Sequence, residues 1–423
     1  MELHEATITT VLDAWALLQE RPLSGACPCY GSCHQLHQAP LSLCVEGINA
    51  IWEAPWFKNL WVVQQAASAK NLTYIFGRHA VNFNCLRRAS ELAIAILQEP
   101  SSQLSSDPID CTAVVRANAT LTHISRRRNP LLSPDMVGFA HDHYYGGPLK
   151  ARVSNFRLSH IFIEQYGGAL LHNLVWCSEL SASLSHDKIY AIRSMSGVED
   201  DTSLRPDYAV PIDELWKRAA AHILAKNGGG GILLSLASRV FVESEDSDDA
   251  MKALPSWVPD FRRLDSTSQR RYRHSQELMH NTTEPNAFRF TIDHRDNDVV
   301  LLTGIILFTI ELESHSDSRS FPQSRPQKVK TVGDISFNYS WTPNSFTITA
   351  TTPKQVTPID GITPVTCESG DSVCLVPGCS FPLVLRHCGD DCYRLVGELY
   401  DQFAHTSIPC PTHLDRYDLL HLS

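Results

Sequence analysis

Between Asp187 and Asp260 the chain carries a segment that has few ways to fold. Ile212, Leu215, Trp216, Ala219, Ala220, Ile223 and Leu224 recur at helical spacing and form one apolar stripe. Pro211 suits the first helical position, where a missing N–H costs nothing, and Asp213 and Glu214 favour the positive end of the helix dipole. Lys226-Asn227-Gly228 supplies the stop. These signals predict an amphipathic helix over 212–226 that buries Trp216. The helix is bracketed by Asp187-Lys188-Ile189-Tyr190-Ala191-Ile192 and the turn Arg205-Pro206-Asp207-Tyr208 on one side, and by Leu254-Pro255-Ser256-Trp257-Val258-Pro259-Asp260 on the other. The two flanking prolines hold the chain extended around Trp257, whose large apolar ring is expected inside. Asp187 and Asp207 each precede a helix or turn, so both are read as capping or turn-forming carboxylates.

With 423 residues, 43% hydrophobic and 19% charged, the chain has room for two or three packed units and is not compositionally disordered. The net charge, 36 − 46 = −10, repels phosphate and argues against nucleic acid. Arg126-Arg127-Arg128 is short, runs into Asn129-Pro130, and reads as a solvated loop. Met1-Glu2-Leu3-His4-Glu5 lacks a basic leader and no apolar core follows it; Val299–Ile310, the most apolar run, is too short to span a bilayer. The expectation is a cytoplasmic chain without a membrane partner, its 13 cysteines reduced.

Further helices are predicted over the first twenty residues, around 44–52, over 83–98 and over 156–177, the last bent at Gly167-Gly168. Gly228-Gly229-Gly230-Gly231 reads as a flexible helix-to-helix connection, and Glu243–Asp249 as a solvated acidic loop. After Asp260 the pattern turns to strands: Phe288–Ile292 alternates, and Val299–Thr309 is rich in β-branched residues. Residues 313–345 read as a polar insertion. Short strands punctuated by Gly, Asp and Pro over 370–400 fit a small β-barrel.

Cys27, Cys29, Cys33, His34 and His37, with Cys44 beyond, are ligand types that zinc uses, although Cys-x-Cys is not standard knuckle spacing. Cys374, Cys379, Cys388 and Cys392 form a second cluster, read as buried apolar residues on the strands of the barrel ahead of a zinc site. His141-Asp142-His143 reads as loop surface. No Gly-x-Ser-x-Gly elbow, Walker loop or His-Glu-x-x-His is present.

The ordered set Asp187-Lys188-Ile189-Tyr190, then Pro206-Asp207-Tyr208, then a Trp-bearing helix, then Pro255-Ser256-Trp257-Val258-Pro259-Asp260 resembles the region downstream of the fungal heterokaryon-incompatibility (HET) domain. Pro55-Trp56-Phe57-Lys58-Asn59-Leu60-Trp61-Val62-Val63-Gln64-Gln65-Ala66 resembles the last block of that domain, usually Trp-Phe, a gap, then Val/Ile-Trp-Val-x-Gln-Glu. The following Thr73–Gly77 reads as a short buried strand. Gly370-Asp371 and Gly397-Glu398 mark strands similar to the family's C-terminal module. The three anchors together reach nearly end to end. The family's opening blocks, Leu-Ser-Tyr-x-Trp-Gly and Asp-x-x-Cys-Ile-Asn-Gln, do not occur, so Met1 is expected to fall inside the domain, before its final third.

The resemblance implies the fold: α+β, a mainly helical body with a partial α/β remnant similar to the Toll-type (TIR) fold at the N-terminus and a small C-terminal β-barrel. The expected boundaries are 1–98 for the remnant, 99–154 for a loop-rich insertion, 155–262 for the helical domain and 263–423 for the β-rich part. It also implies a role in fungal non-self recognition and incompatibility-linked cell death, through protein partners. Some TIR folds hydrolyse NAD, which needs a carboxylate beside an oxocarbenium-like centre. Gln65 stands where the family usually has Glu, and an amide cannot supply that charge. The expectation is a non-catalytic chain without a cofactor. The alternatives are a TIR-like NAD hydrolase completed by a partner and a zinc-stabilised interaction module. Trp56, Phe57, Trp61 and Gln64 could frame a ligand but are read first as core and strand-edge residues.

Overall fold

The computed structural model describes residues 54–69, 71–76, 79–82, 168–225, 229–237, 254–280, 291–292, 299–310, 328–332, 335–342, 345–352, 356–362, 364, 366–389, 392–401 and 418–423. The Cys27–Cys44 cluster, His141–His143, the helices expected over 1–20, 44–52 and 83–98, and the acidic run 243–249 lie outside them. The chain divides into two compact units, Met1–His160 with Glu179–Asp187, and Ile161–Ser178 with Lys188–Ser423.

In the first unit α1 (Pro55–Lys58) opens with proline at its first turn, where the lost N–H is harmless. Asn59 breaks the helix and caps the next one: its side-chain oxygen accepts from Trp61 N at 2.9 Å, starting α2 (Leu60–Ser68). Asn59 also pairs in parallel with Ser181, through Leu60 N to Ser181 O at 2.9 Å and Ser181 N to Lys58 O at 2.6 Å. Strands β1 (Thr73–Phe76) and β2 (His79–Asn82) form an antiparallel hairpin. The strand expected to be buried is half so: Tyr74 faces inward while Ile75 is 76% exposed, since successive strand residues face opposite ways. The rest of the expected TIR-like remnant lies outside the described residues.

The second unit begins with α3 (Gly168–Trp176). The single turn α4 (Asp187–Tyr190) and two short 3-10 turns, Ser194–Ser196 and Thr202–Leu204, lead to α5 (Ile212–Ala225). Pro211 sits one residue earlier than predicted: its carbonyl accepts the first helical bond, from Leu215 N at 3.1 Å. The stripe is inside as expected, with Trp216 1% and Trp257 0% exposed. Phe261 meets Trp216 edge to face at 6.0 Å.

The glycine run departs from expectation. It is not a flexible link but the start of α6 (Gly229–Ala237). A Cβ on Gly231 would lie 1.7 Å from the Gly378 carbonyl oxygen, so the helix backbone rests directly on the Pro377-Gly378 turn. Helical propensity is given up there for a contact no side chain permits. The stretch after Asp260 departs as well. Before any strand it forms α7 (Ser266–His280), a polar helix whose inward residues include Arg271, Tyr272, Ser275 and Leu278.

The strands follow in order: β3 (Thr291–Ile292), β4 (Val300–Thr309), β5 (Lys328–Val332), β6 (Ile335–Thr342), β7 (Ser345–Thr351), β8 (Val356–Gly361), β9 (Ser372–Leu375), β10 (Leu383–Gly389), β11 (Cys392–Glu398) and β12 (Asp418–Leu422). One sheet runs β12-β11-β10-β9-β4-β3, and β12 also pairs with β4, so the hydrogen bonding passes through five strands and returns to its start. The β12–β11 pairing is parallel and spans two residue pairs; the others in this sheet are antiparallel.

The remaining sheet, β5-β6-β7-β8, is an antiparallel meander and corrects the reading of 313–345 as a polar insertion in its latter part. Its polarity is one face only. Ile335, Phe337, Phe346, Ile348 and Ala350 are buried and share one cluster with Ile305, Leu307, Val373 and Val384. Ser336, Asn338, Thr347 and Thr349 alternate with them and are half-exposed. Each fully buried phenylalanine stabilises by about 1.5–3 kcal/mol. The chain is thus a mixture of helices and strands.

Candidate functional site

Among the described residues a buried ion pair joins three elements of the second unit. Arg271 on α7 donates Nε to Glu398 Oε1 at 3.0 Å, and its Nη2 reaches the same oxygen. Nη2 also donates to the Ser235 carbonyl of α6 at 2.6 Å. Their side chains are 6% and 2% exposed, so the pair lies in low dielectric, where a lost partner would leave a stranded charge. The guanidinium stands 5.5 Å from the Tyr400 ring centroid, and that ring packs on His274 and Phe381. Burial, reinforced by the Glu398 carboxylate, raises the Tyr400 phenol above its ordinary range. Glu398 comes from the Gly397-Glu398 pair singled out in the sequence; Gly397 lies opposite Val384 in the β10–β11 ladder. A carboxylate held this way ties α6 and α7 to the sheet and presents nothing to a substrate.

Asp371 is used the same way. Arg386 grips it with two bonds, Nε to Oδ1 at 2.8 Å and Nη2 to Oδ2 at 3.1 Å. Oδ2 also accepts from Glu368 N at 2.8 Å, and Arg386 Nη2 donates to the Thr366 carbonyl at 2.8 Å. The turn is pinned to the end of β4 by Gly370 N to Ile310 O at 2.8 Å and Ile310 N to Asp371 O at 2.7 Å. Gly370 has φ of 100°, a backbone state that side chains disfavour, which explains glycine there. Cys367 beside it has its thiol pushed up to about 12, by burial first and by Asp371 second, against the pull of Arg386.

The Asp187–Tyr208 residues show a third use of the same kind. Lys188 sends its ammonium to the Ser178 carbonyl at 2.7 Å, and Gln269 reaches the Val175 carbonyl at 3.3 Å. Both bonds go to carbonyls at the C-terminal end of α3, that of Val175 also accepting from Ser178 N at 3.3 Å. Burial lowers the Lys188 pKa, and burial pushes the adjacent Cys177 thiol up to about 12, opposed by the ammonium. Tyr190 donates its hydroxyl to the Asp207 carbonyl at 2.9 Å and accepts from Asp207 N at 3.1 Å. Asp207 Oδ1 accepts from Ala209 N at 2.9 Å, which is the turn-forming role expected of it. Tyr208 stays half-exposed and meets the Tyr190 ring edge-on at 5.3 Å. Asp187 is buried at the first residue of its turn.

In the first unit the Trp-rich block splits into two faces. Trp56 and Phe57 close on Tyr74 at 5.0 and 5.8 Å, an aromatic corner that fixes the hairpin against α1. Along α2, Leu60, Val62, Val63 and Ala66 point inward. Trp61 and Gln64 are half-buried and Gln65 is exposed. At helical spacing these three share the outer side.

The second cysteine cluster is not assembled into one site. The expected burial holds for Cys374 alone: Cys379 and Cys392 are half-buried and Cys388 is exposed, the last two at the end of the β10–β11 hairpin, where the strands run out past the core. Among the described residues no group of three His, Cys, Asp or Glu side chains is placed to share a metal ion. No helix among them is long and apolar enough to cross a membrane.

Sequence reasoning missed Arg271, Arg386 and the pairing of Asp201 with His222. Asp201 Oδ2 lies 2.6 Å from His222 Nδ1, and its Oδ1 accepts from Ser203 N at 2.9 Å. Burial raises the Asp201 carboxyl, but the bonds from Ser203 and His222 outweigh it and leave its pKa lowered. The spacing of Arg271, Ser275 and Leu278 on one helix side was visible; that the arginine faces inward depends on Glu398, 127 residues away.

No protein-family model matches the chain, and no solved structure matches it. Among curated proteins it is similar to heterokaryon incompatibility protein 6, OR allele, of Neurospora crassa, 24% identical over 229 residues. That alignment takes in 52% of this chain and 30% of the relative, so the chain spans less than a third of the protein it matches.

Proposed function

We propose that this protein acts in fungal heterokaryon incompatibility, as a non-catalytic cytoplasmic component of non-self recognition that engages another protein. The observation that carries the reading is the similarity to the Neurospora crassa incompatibility protein, in a chain whose most distinctive residues form an internal framework. Lys188, Tyr190, Asp371 and Glu398 each hold another part of the second unit in place. Such a framework suits a body that presents a surface, while Gln65 denies the Trp-rich block the carboxylate that NAD cleavage needs.

Two assays test this. Expressed in Neurospora crassa hyphae, the chain is expected to cause growth arrest and vital-dye uptake after fusion with a strain that lacks it. Normal growth of fused cells at confirmed expression would overturn the proposal. Incubated with NAD, the purified chain is expected to release no nicotinamide above a heat-killed control. Release that is lost on changing Trp61 or Gln64 would favour the enzyme instead.

A further inference from the structure

The β10–β11 hairpin brings two cysteines together in a way its sequence spacing conceals. His387 pairs with Tyr393 and Gly389 pairs with Cys392, so Cys388 is an extra residue on one strand, a bulge. A bulge sets two residues against one and cancels the usual alternation of faces. His387 and Tyr393 share one face, where their rings meet edge-on at 5.3 Å. Cys392 therefore belongs to the other face, together with its partner position Gly389. Without the bulge, Gly389 would return to the face of His387; with it, Cys388 and Gly389 both turn toward the face of Cys392. Both sulfurs are free thiols, Cys388 exposed and Cys392 partly so. Cys388 Sγ leans 3.5 Å from the Arg386 carbonyl, a weak contact that a rotation about one side-chain bond releases. Gly389, directly opposed to Cys392, stands about 4.5–5.5 Å from it at Cα, and Cys388 is the next residue along the strand, toward the far end of the range a disulfide spans. Arg394, exposed and two residues beyond Cys392, lies on the same face, and Asp390 and Asp391 between the two cysteines outweigh its charge.

We propose that Cys388 and Cys392 form a redox-modifiable dithiol that closes to a disulfide on reaction with a small disulfide of the glutathione class. The thiolate of one cysteine attacks the small disulfide, forming a mixed disulfide and expelling one small thiolate. The second cysteine's thiolate then attacks the protein sulfur of that mixed disulfide. It forms the Cys388–Cys392 bond and expels the other small thiolate. The protein dithiol loses two electrons and two protons; the small disulfide gains both. The other described thiols are poorly suited to compete: Cys177 and Cys374 are buried, and burial pushes the thiols of Cys177 and Cys367 up to about 12.

Trypsin makes the test clean, because cleavage after Arg386 and Arg394 releases residues 387–394 with both cysteines and no others. The full chain is incubated with oxidised glutathione, native or unfolded in urea, then alkylated in denaturant, digested and weighed. The native chain is expected to give a 387–394 peptide lacking two hydrogens, restored by dithiothreitol and formed at least tenfold faster than from the unfolded chain. Cys388→Ser and Cys392→Ser are each expected to stop at the mixed disulfide. A native peptide that stays doubly alkylated, one that carries stable glutathione adducts without closing, or closure no faster than in urea would each overturn the proposal.

Discussion

The Trp-rich block of the first unit and the polar motif residues of the second unit come from the same family resemblance, yet they are used in opposite ways. In the second unit Lys188, Asp371 and Glu398 turn inward, and each is consumed by a bond to a distant element. In the first, apolar residues hold the block in place, and Gln65, one of its polar residues, is left outside. A polar residue within a recognisable motif is therefore no guide to a site until its partner is known. The second unit behaves as a scaffold. The outer side of α2 carries Trp61, Gln64 and Gln65.

The sharpest break in this contrast would come from the buried ion pair. Glu398→Ala is expected to cost about 3–5 kcal/mol by stranding Arg271, measured by urea unfolding. Trp216→Ala should cost a similar amount, about 3–5 kcal/mol, because a 1%-exposed indole leaves a void that its neighbours fill only in part. Gly231→Ala comes next at about 1–3 kcal/mol or more: the helix gains propensity, but the new methyl meets the Gly378 carbonyl, which is backbone and cannot swing aside. The effect of Asp201→Asn is smaller and depends on pH. A carboxylate with a lowered folded-state pKa contributes stability above its unfolded value, and that contribution fades as pH falls through the folded one. The variant should therefore be less stable than the parent near neutrality and converge with it below the ordinary carboxylate range, as thermal melts across pH would show. Least of all, Gln65→Ala should stay within about 0.5 kcal/mol of the parent, since its side chain is exposed. If it nonetheless alters incompatibility in hyphae, the contrast between framework and surface is sharpened.

What the sequence made legible was whatever is local. The stripe of α5, the turn at Asp207, the strand at 300–309 and the burial of Trp216 and Trp257 all follow from spacing and near neighbours. Long-range partners were not legible. Gly229–Gly231 has the composition of a link, yet it is helical, and Gly231 rests on a carbonyl almost 150 residues away, Gly378, against which only a glycine fits. The part of the meander within 313–345 looked polar because half its residues face out, and the inward half is apolar only when counted at period two. The roles of Asp371 and Glu398 were hidden for the same reason: their arginines lie 15 and 127 residues off.

The most direct measurement is a double-mutant cycle at Arg271 and Glu398, read by urea unfolding. If Glu398 serves the fold, Arg271→Met and Glu398→Leu should each cost about 3–5 kcal/mol, while the double variant costs less than either, because two apolar side chains leave no stranded charge. Single variants that unfold like the parent, or a double variant as unstable as the sum of the two, would contradict the framework role of Glu398.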